Sequence, residues 1–150
     1  MKQIFIVGNW KSNKGIVEAK DWLRQFNVKC QMFLRKDSGQ ANVKWEQATV
    51  VLCVPFTLLY SMKQELVRLQ LPIKLGAQDV SPFEAGAYTG EINASQIKEL
   101  TEWVIIGHSE RRNLFGETDE LLAKKVEQAK LAGLNVIYCV PDDQTVIPQN

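Results

Sequence analysis

Four alternations of a short apolar run with a helix-periodic segment, closing on a fifth apolar run, predict an α/β fold built on a parallel sheet. The runs at 49–54 and 103–106 are nearly continuous, as in strands covered on both faces. Gly-Asn-Trp-Lys at 8–11 and Gly-His-Ser-Glu-Arg-Arg at 107–112 each place polar groups just past such a run. In parallel α/β proteins that carboxyl edge is where sites are built. Periodicity alone leaves a doubly wound sheet and part of an eight-stranded barrel equally open.

Residues 4–7 read as a short buried strand, ended by Gly8-Asn9. From 15 to 34, Ile16, Val17, Ala19, Trp22, Leu23 and Phe26 recur at helical spacing, with Lys20, Asp21, Arg24 and Gln25 on the wet face. Residues 35–47 are polar and contain Asp-Ser-Gly, a loop signal. The β-branched run 49–54 is a strand stopped by Pro55, and 58–71 is a helix stopped by Pro72. A strand at 73–78 leads into a long loop, 79–91, that holds Pro82, Gly86 and Gly90. A short helix at 95–100 precedes the strand 103–106, which Gly107 ends. Thr118 is an N-cap candidate, with Asp119 and Glu120 in the positive first turn. Leu121, Leu122, Lys125, Val126 and Ala129 continue that helix to Gly133, and 135–140 is the last strand.

The composition of this 150-residue chain is globular, at 45% hydrophobic and 23% charged residues. Its net charge is +1, which implies no broad electropositive face, so neither nucleic acid nor a membrane surface is an expected partner. The opening apolar run is too short for a secretory signal or a membrane span, which makes the cytoplasm the expected compartment. Cys30, Cys53 and Cys139 are widely separated and odd in number, the pattern of reduced buried thiols. A single histidine supplies no metal spacing, and there is no Walker loop, no strand-linked G-x-G-x-x-G and no G-x-S-x-G. Neither a metal nor a cofactor is expected.

Asn9 and Lys11 leave the first strand two residues apart, where an amide and an ammonium can bind carbonyl and phosphate oxygens. Taken alone, they also fit an ordinary loop asparagine beside a solvated lysine. His108 follows the fourth strand, and a helical turn starting at Ser109 would set a positive dipole end against its ring. A neutral imidazole there can donate a hydrogen bond to a carbonyl oxygen and stabilise an enediolate. Taken alone, a single histidine after a strand is more often structural or incidental than catalytic. Glu110 could anchor Lys11 or assist proton transfer, while Arg111 and Arg112 fit structural ion pairs.

Five blocks taken together resemble the triosephosphate isomerase family. They are Val7-Gly8-Asn9-Trp10-Lys11-Ser12-Asn13, Leu75-Gly76-Ala77-Gln78-Asp79, Gly86-Ala87-Tyr88-Thr89-Gly90-Glu91, the stretch from Val104 to Arg112, and Phe115-Gly116-Glu117-Thr118-Asp119-Glu120. They follow the family's order with similar gaps. The resemblance implies a parallel (β/α)8 TIM barrel, here an incomplete barrel of about five β/α units, family-like over 1–140 with a divergent tail at 141–150. It implies interconversion of dihydroxyacetone phosphate and glyceraldehyde 3-phosphate through an enediolate, a step of glycolysis and gluconeogenesis that needs no cofactor.

By the same resemblance Asn9 and Lys11 bind substrate, Lys11 stabilises negative charge, and Glu110 is the lysine's acidic neighbour. His108 corresponds to a catalytic electrophile kept neutral by a helix N-terminus, a property that belongs to the family itself. Tyr88 and Thr89 match the tip of a third loop that reaches into a partner subunit, which implies a homodimer. The family's catalytic base is a glutamate on the sixth strand, beyond the matching segments. The family's Cys-x-Gly-Glu stands here as Cys139-Val140-Pro141-Asp142. The expectation is a truncated chain, inactive or nearly so alone and unstable unless another chain completes it. Residues 35–47 are expected to be a surface insertion. Two other readings are a non-catalytic product that docks on a full-length subunit through the third loop, and a small phosphate-binding domain with a closed five-stranded sheet.

Overall fold

The computed structural model of the protein describes residues 4–35 and 48–140. Its elements are β1 (Ile4–Asn9), α1 (Ile16–Arg35), β2 (Ala48–Cys53), α2 (Phe56–Leu69), β3 (Ile73–Ala77), α3 (Ala94–Leu100), β4 (Trp103–Ile106), α4 (Ser109–Phe115), α5 (Asp119–Leu131) and β5 (Asn135–Tyr138). The expected insertion after Arg35 and the expected tail at 141–150 lie outside the described residues.

The five strands form one parallel sheet in the order β1-β2-β3-β4-β5. Sequential order settles what periodicity left open. A doubly wound sheet reverses its strand order at a switch point, whereas a barrel adds each strand beside the last. The sheet also curls. The rings of Phe5 on β1 and Trp103 on β4 lie 5.7 Å apart. In a flat sheet those strands would be three spacings, roughly 14 Å, apart. The fold is thus an incomplete barrel, and a closed five-stranded sheet is excluded among the described residues, because β1 pairs with β2 alone and β5 with β4 alone.

Alternation along the strands sorts side chains onto two faces. Leu52, Val54, Leu75, Ala77, Val104 and Ile106 face the helices and join Ala19, Leu23, Leu58, Leu59, Met62, Ile97 and Leu122 in the main core. Val51, Cys53 and Ile105 face the concave side with Trp103, Ile137 and Cys139. That face needs a glycine at Gly76, since a Cβ there would stand 2.5 Å from the Cys53 sulfur.

One expectation is corrected and another extended. β1 is not buried: Ile4, Phe5, Ile6 and Val7 are 42–51% exposed, because the strand is an edge of the sheet. In the last crossover the helical turn expected at Ser109 runs on to Phe115 as a helix of its own, separate from α5. Gly116, at φ 66, ends α4 in a left-handed turn, and Thr118 then caps α5 by accepting from the Leu121 N–H.

Candidate functional site

Asn9, Lys11, His108 and Glu110 come together on the carboxyl rim of the sheet. Asn9 is the last residue of β1, and its Oδ1 accepts the Lys11 N–H at 2.9 Å. This tight turn puts Lys11 at φ 53. Left-handed backbone costs an L-residue about 1–2 kcal/mol, so it persists only where surrounding contacts hold it. The Lys11 side chain then reaches across to α4 and pairs with Glu110 Oε1 at 2.6 Å. Both side chains are about half exposed, and the hydrogen bond from Lys11 holds the Glu110 carboxyl below its usual range.

His108 caps α4. The turn that aims it passes through Gly107 at φ 78, where a Cβ would meet the Cys139 carbonyl and the Arg112 guanidinium, each at 3.2 Å. The His108 Nδ1 accepts the Glu110 N–H at 3.2 Å. A nitrogen that accepts carries a lone pair, so a neutral ring in this arrangement bears its hydrogen on Nε2. Glu110 Oε2 lies 3.6 Å from the same Nδ1. One carboxylate therefore stands beside both the ammonium and the imidazole.

Tyr88 and Thr89 lie elsewhere, on the exposed loop between β3 and α3. Tyr88 stacks on Phe83 with ring centroids 4.3 Å apart and planes 9° from parallel. The loop is pinned where Ser81 N–H donates to the Ile92 carbonyl.

Sequence reasoning missed the groups behind the rim. Gln78 donates from Nε2 to the Lys11 carbonyl at 2.9 Å and to Asn9 Oδ1 and the Cys53 carbonyl at 3.2 Å each. Next to it, Asp79 accepts from Lys125 at 2.7 Å and from Arg111 at 2.9 Å. Glu117 accepts from Arg111 at 2.6 Å and also from Lys125. Lys125 and Glu117 are buried, and Glu117 Oε2 is without a hydrogen-bond partner. Burial pushes the Asp79 carboxyl up despite its cations. At Glu117 burial acts the same way, but the hydrogen bonds from Lys125 and Arg111 outweigh it and leave that carboxyl low. One local signal was present: Lys125 occupies the apolar stripe of its helix, three residues beyond Leu122, where a lysine needs a buried partner.

Arg112 pairs with Asp119 at 2.7 Å and donates to the Tyr138 hydroxyl at 3.0 Å. An apolar cleft of about 340 Å³ lies at the opposite end of the strands, lined by Leu66, Leu71 and Ile73, away from these groups. Among the described residues no cluster of histidine, cysteine or carboxylate side chains could hold a metal, and no helix is long and apolar enough to cross a membrane.

A curled parallel sheet with an ammonium, an amide and an imidazole on its carboxyl rim defines a barrel-type α/β protein. Residues 4–149 match the family model described as triosephosphate isomerase. The chain belongs to the triosephosphate isomerase family. It is 43% identical over 145 residues to the triosephosphate isomerase of Synechocystis sp., covering 96% of this chain and 54% of that protein. It is 42% identical over 140 residues to the one of Dehalococcoides mccartyi, covering 93% and 50%. The crystal structure of triosephosphate isomerase from Bartonella henselae superposes with a TM-score of 0.72 at 35% identity, over 92% of this chain and 52% of that one. The chain thus spans about half the length of the relatives it matches.

Proposed function

We propose that this chain supplies the substrate-binding and electrophilic half of a triose phosphate isomerase site, in the cytoplasmic interconversion of dihydroxyacetone phosphate and glyceraldehyde 3-phosphate. The observation that carries this reading is the meeting of Lys11, Glu110 and His108 across 99 residues of sequence. Asn9 and Lys11 bind the substrate's oxygens, and Lys11 balances its negative charge. His108, with Nδ1 occupied by the Glu110 N–H, directs Nε2–H at the carbonyl oxygen. As a base takes a proton from the carbon beside that carbonyl, negative charge moves onto this oxygen, and the donor strengthens as the enediolate forms. Return of the proton to the neighbouring carbon completes the isomerisation.

The base itself is not one of the carboxylates around His108. Glu110 is held by Lys11, and Asp79 and Glu117 by Arg111 and Lys125. The isolated chain is therefore expected to bind triose phosphate and turn it over little or not at all.

The test uses the single histidine as its own probe. Dihydroxyacetone phosphate titrated into the 150-residue chain should shift the His108 ring signals in NMR, and Lys11→Met should weaken binding at least tenfold. Ring signals that ignore the ligand at millimolar concentration would overturn the reading. Turnover at a full-length relative's rate would overturn the exclusion of Glu110, Asp79 and Glu117 as the base.

A second reading draws on the exposed, stacked Phe83–Tyr88 pair. The loop that bears it docks on another subunit of the family, and Tyr88→Ser should abolish co-sedimentation with a full-length relative.

A further inference from the structure

Lys11 combines a disfavoured backbone conformation with a long reach, and both need support from outside its own turn. Its φ is 53, and its Nζ must meet a carboxylate on a different β/α unit at 2.6 Å. The bond from its own N–H to Asn9 closes the turn locally, and the Trp10 N–H donates to the Cys53 carbonyl of β2 at 3.0 Å, but neither ties the turn to β3 or holds the Lys11 carbonyl. Gln78, half-buried just past the end of β3, does both. Its carboxamide NH₂ has two hydrogens and serves three oxygens: the Lys11 carbonyl, Asn9 Oδ1 and the Cys53 carbonyl. Those oxygens belong to the loop after β1, the end of β1 and the end of β2. One side chain thus ties the lysine's turn to two strands at once.

The chemistry of the position demands an amide. Three acceptors converge there, so a carboxylate would add a fourth, and an apolar side chain would leave them without this donor. The neighbouring residue serves the other half of the site. Asp79 binds Arg111, three residues along α4 from His108. The strand end of β3 therefore holds the lysine's turn with one side chain and the histidine's helix with the next.

We infer that Gln78 is a positioning residue whose carboxamide fixes the Asn9–Lys11 turn, and thereby sets the Lys11 ammonium beside Glu110 and His108. Its functional consequence rests on the reading of Lys11 as a substrate-binding group.

Glu110 reports on Lys11 without any ligand. The Glu110 carboxyl is low because Lys11 donates to it, and Lys11 and His108 are the charged or titratable groups facing it. The experiment is a carboxyl-carbon NMR titration of Glu110 in the unaltered chain and in Gln78→Met, Gln78→Glu and Lys11→Met. The His108 ring is recorded alongside to separate its contribution, and affinity for dihydroxyacetone phosphate is measured in parallel. Gln78→Met and Gln78→Glu should raise the Glu110 midpoint toward its value in Lys11→Met and weaken affinity at least fivefold. A loss of thermal stability with an unmoved Glu110 midpoint would mark a merely structural residue and overturn the inference.

Should the variants not fold, the unaltered chain still decides. A scalar coupling across the hydrogen bond, from the Gln78 side-chain nitrogen to the Lys11 carbonyl carbon, is required, and its absence overturns the inference. If the unaltered chain binds no triose phosphate while Gln78→Met still shifts Glu110, positioning stands and the functional reading fails. If it binds and Gln78→Met changes neither readout, the reverse holds.

Discussion

Gly76 and Cys53 show how closely single atoms are matched on the concave face. The sulfur fills the space that a Cβ at Gly76 would enter at 2.5 Å. Gly76→Ala is expected to cost about 1–3 kcal/mol in urea unfolding, as overpacked cores do. Adding Cys53→Ala should return part of that loss, and an unchanged double variant would show the clash lies elsewhere. Burial, with a smaller contribution from Cys139, pushes the Cys53 thiol up to about 12. It should resist iodoacetamide at pH 8 until the chain unfolds, as read by mass spectrometry. At this scale Asn9, Lys11, His108 and Glu110 were legible because their motifs sit beside strand ends. Gln78 was not, because an amide after a strand looks alike whether it faces water or three carbonyl-type oxygens.

Charged clamps between elements carry the next level of organisation. Lys125 on α5 reaches Asp79 beyond β3 and Glu117 before α5, both shielded from water. Lys125→Met should destabilise by about 3–5 kcal/mol, because it strands buried carboxylates that Arg111 alone must neutralise. Thermal unfolding measures it, and a neutral result would mean that water already compensates them. Helices α1 and α2 are joined by Glu65, which accepts from Arg24 at 3.1 Å and Arg68 at 2.6 Å. The hydrogen bond from Arg68, reinforced by Arg24, lowers the Glu65 carboxyl to about 2 from its ordinary 4.5. A lowered carboxylate stabilises the fold fully above its unfolded value and loses that contribution as it protonates. Melting temperature should therefore fall between pH 4.5 and 2, and Glu65→Gln should flatten that acid limb. The helices themselves were legible from their period and caps. The ion pairs between elements were not, since partners 41 and 46 residues apart leave no local pattern.

Among the described residues the sheet has two edges with one neighbour each, and β1 displays Ile4, Phe5, Ile6 and Val7. An unpaired apolar edge templates association. Light scattering of the 150-residue chain should rise with concentration, and Ile6→Lys should suppress it. A monodisperse monomer at millimolar concentration would show the edge protected. Sequence by itself determined the run of strands and helices, the caps and the reactive groups after the first and fourth strands. Each depends on contacts within a few residues or on the local period of apolar side chains. Tertiary structure alone decided the exposure of β1 and the partners of Gln78, Asp79 and Glu117, whereas the curled barrel and the Lys11–Glu110 pair were already implied by the family resemblance. Those follow from which distant segments the curl brings within hydrogen-bond reach, and separation along the chain carries no trace of separation in space.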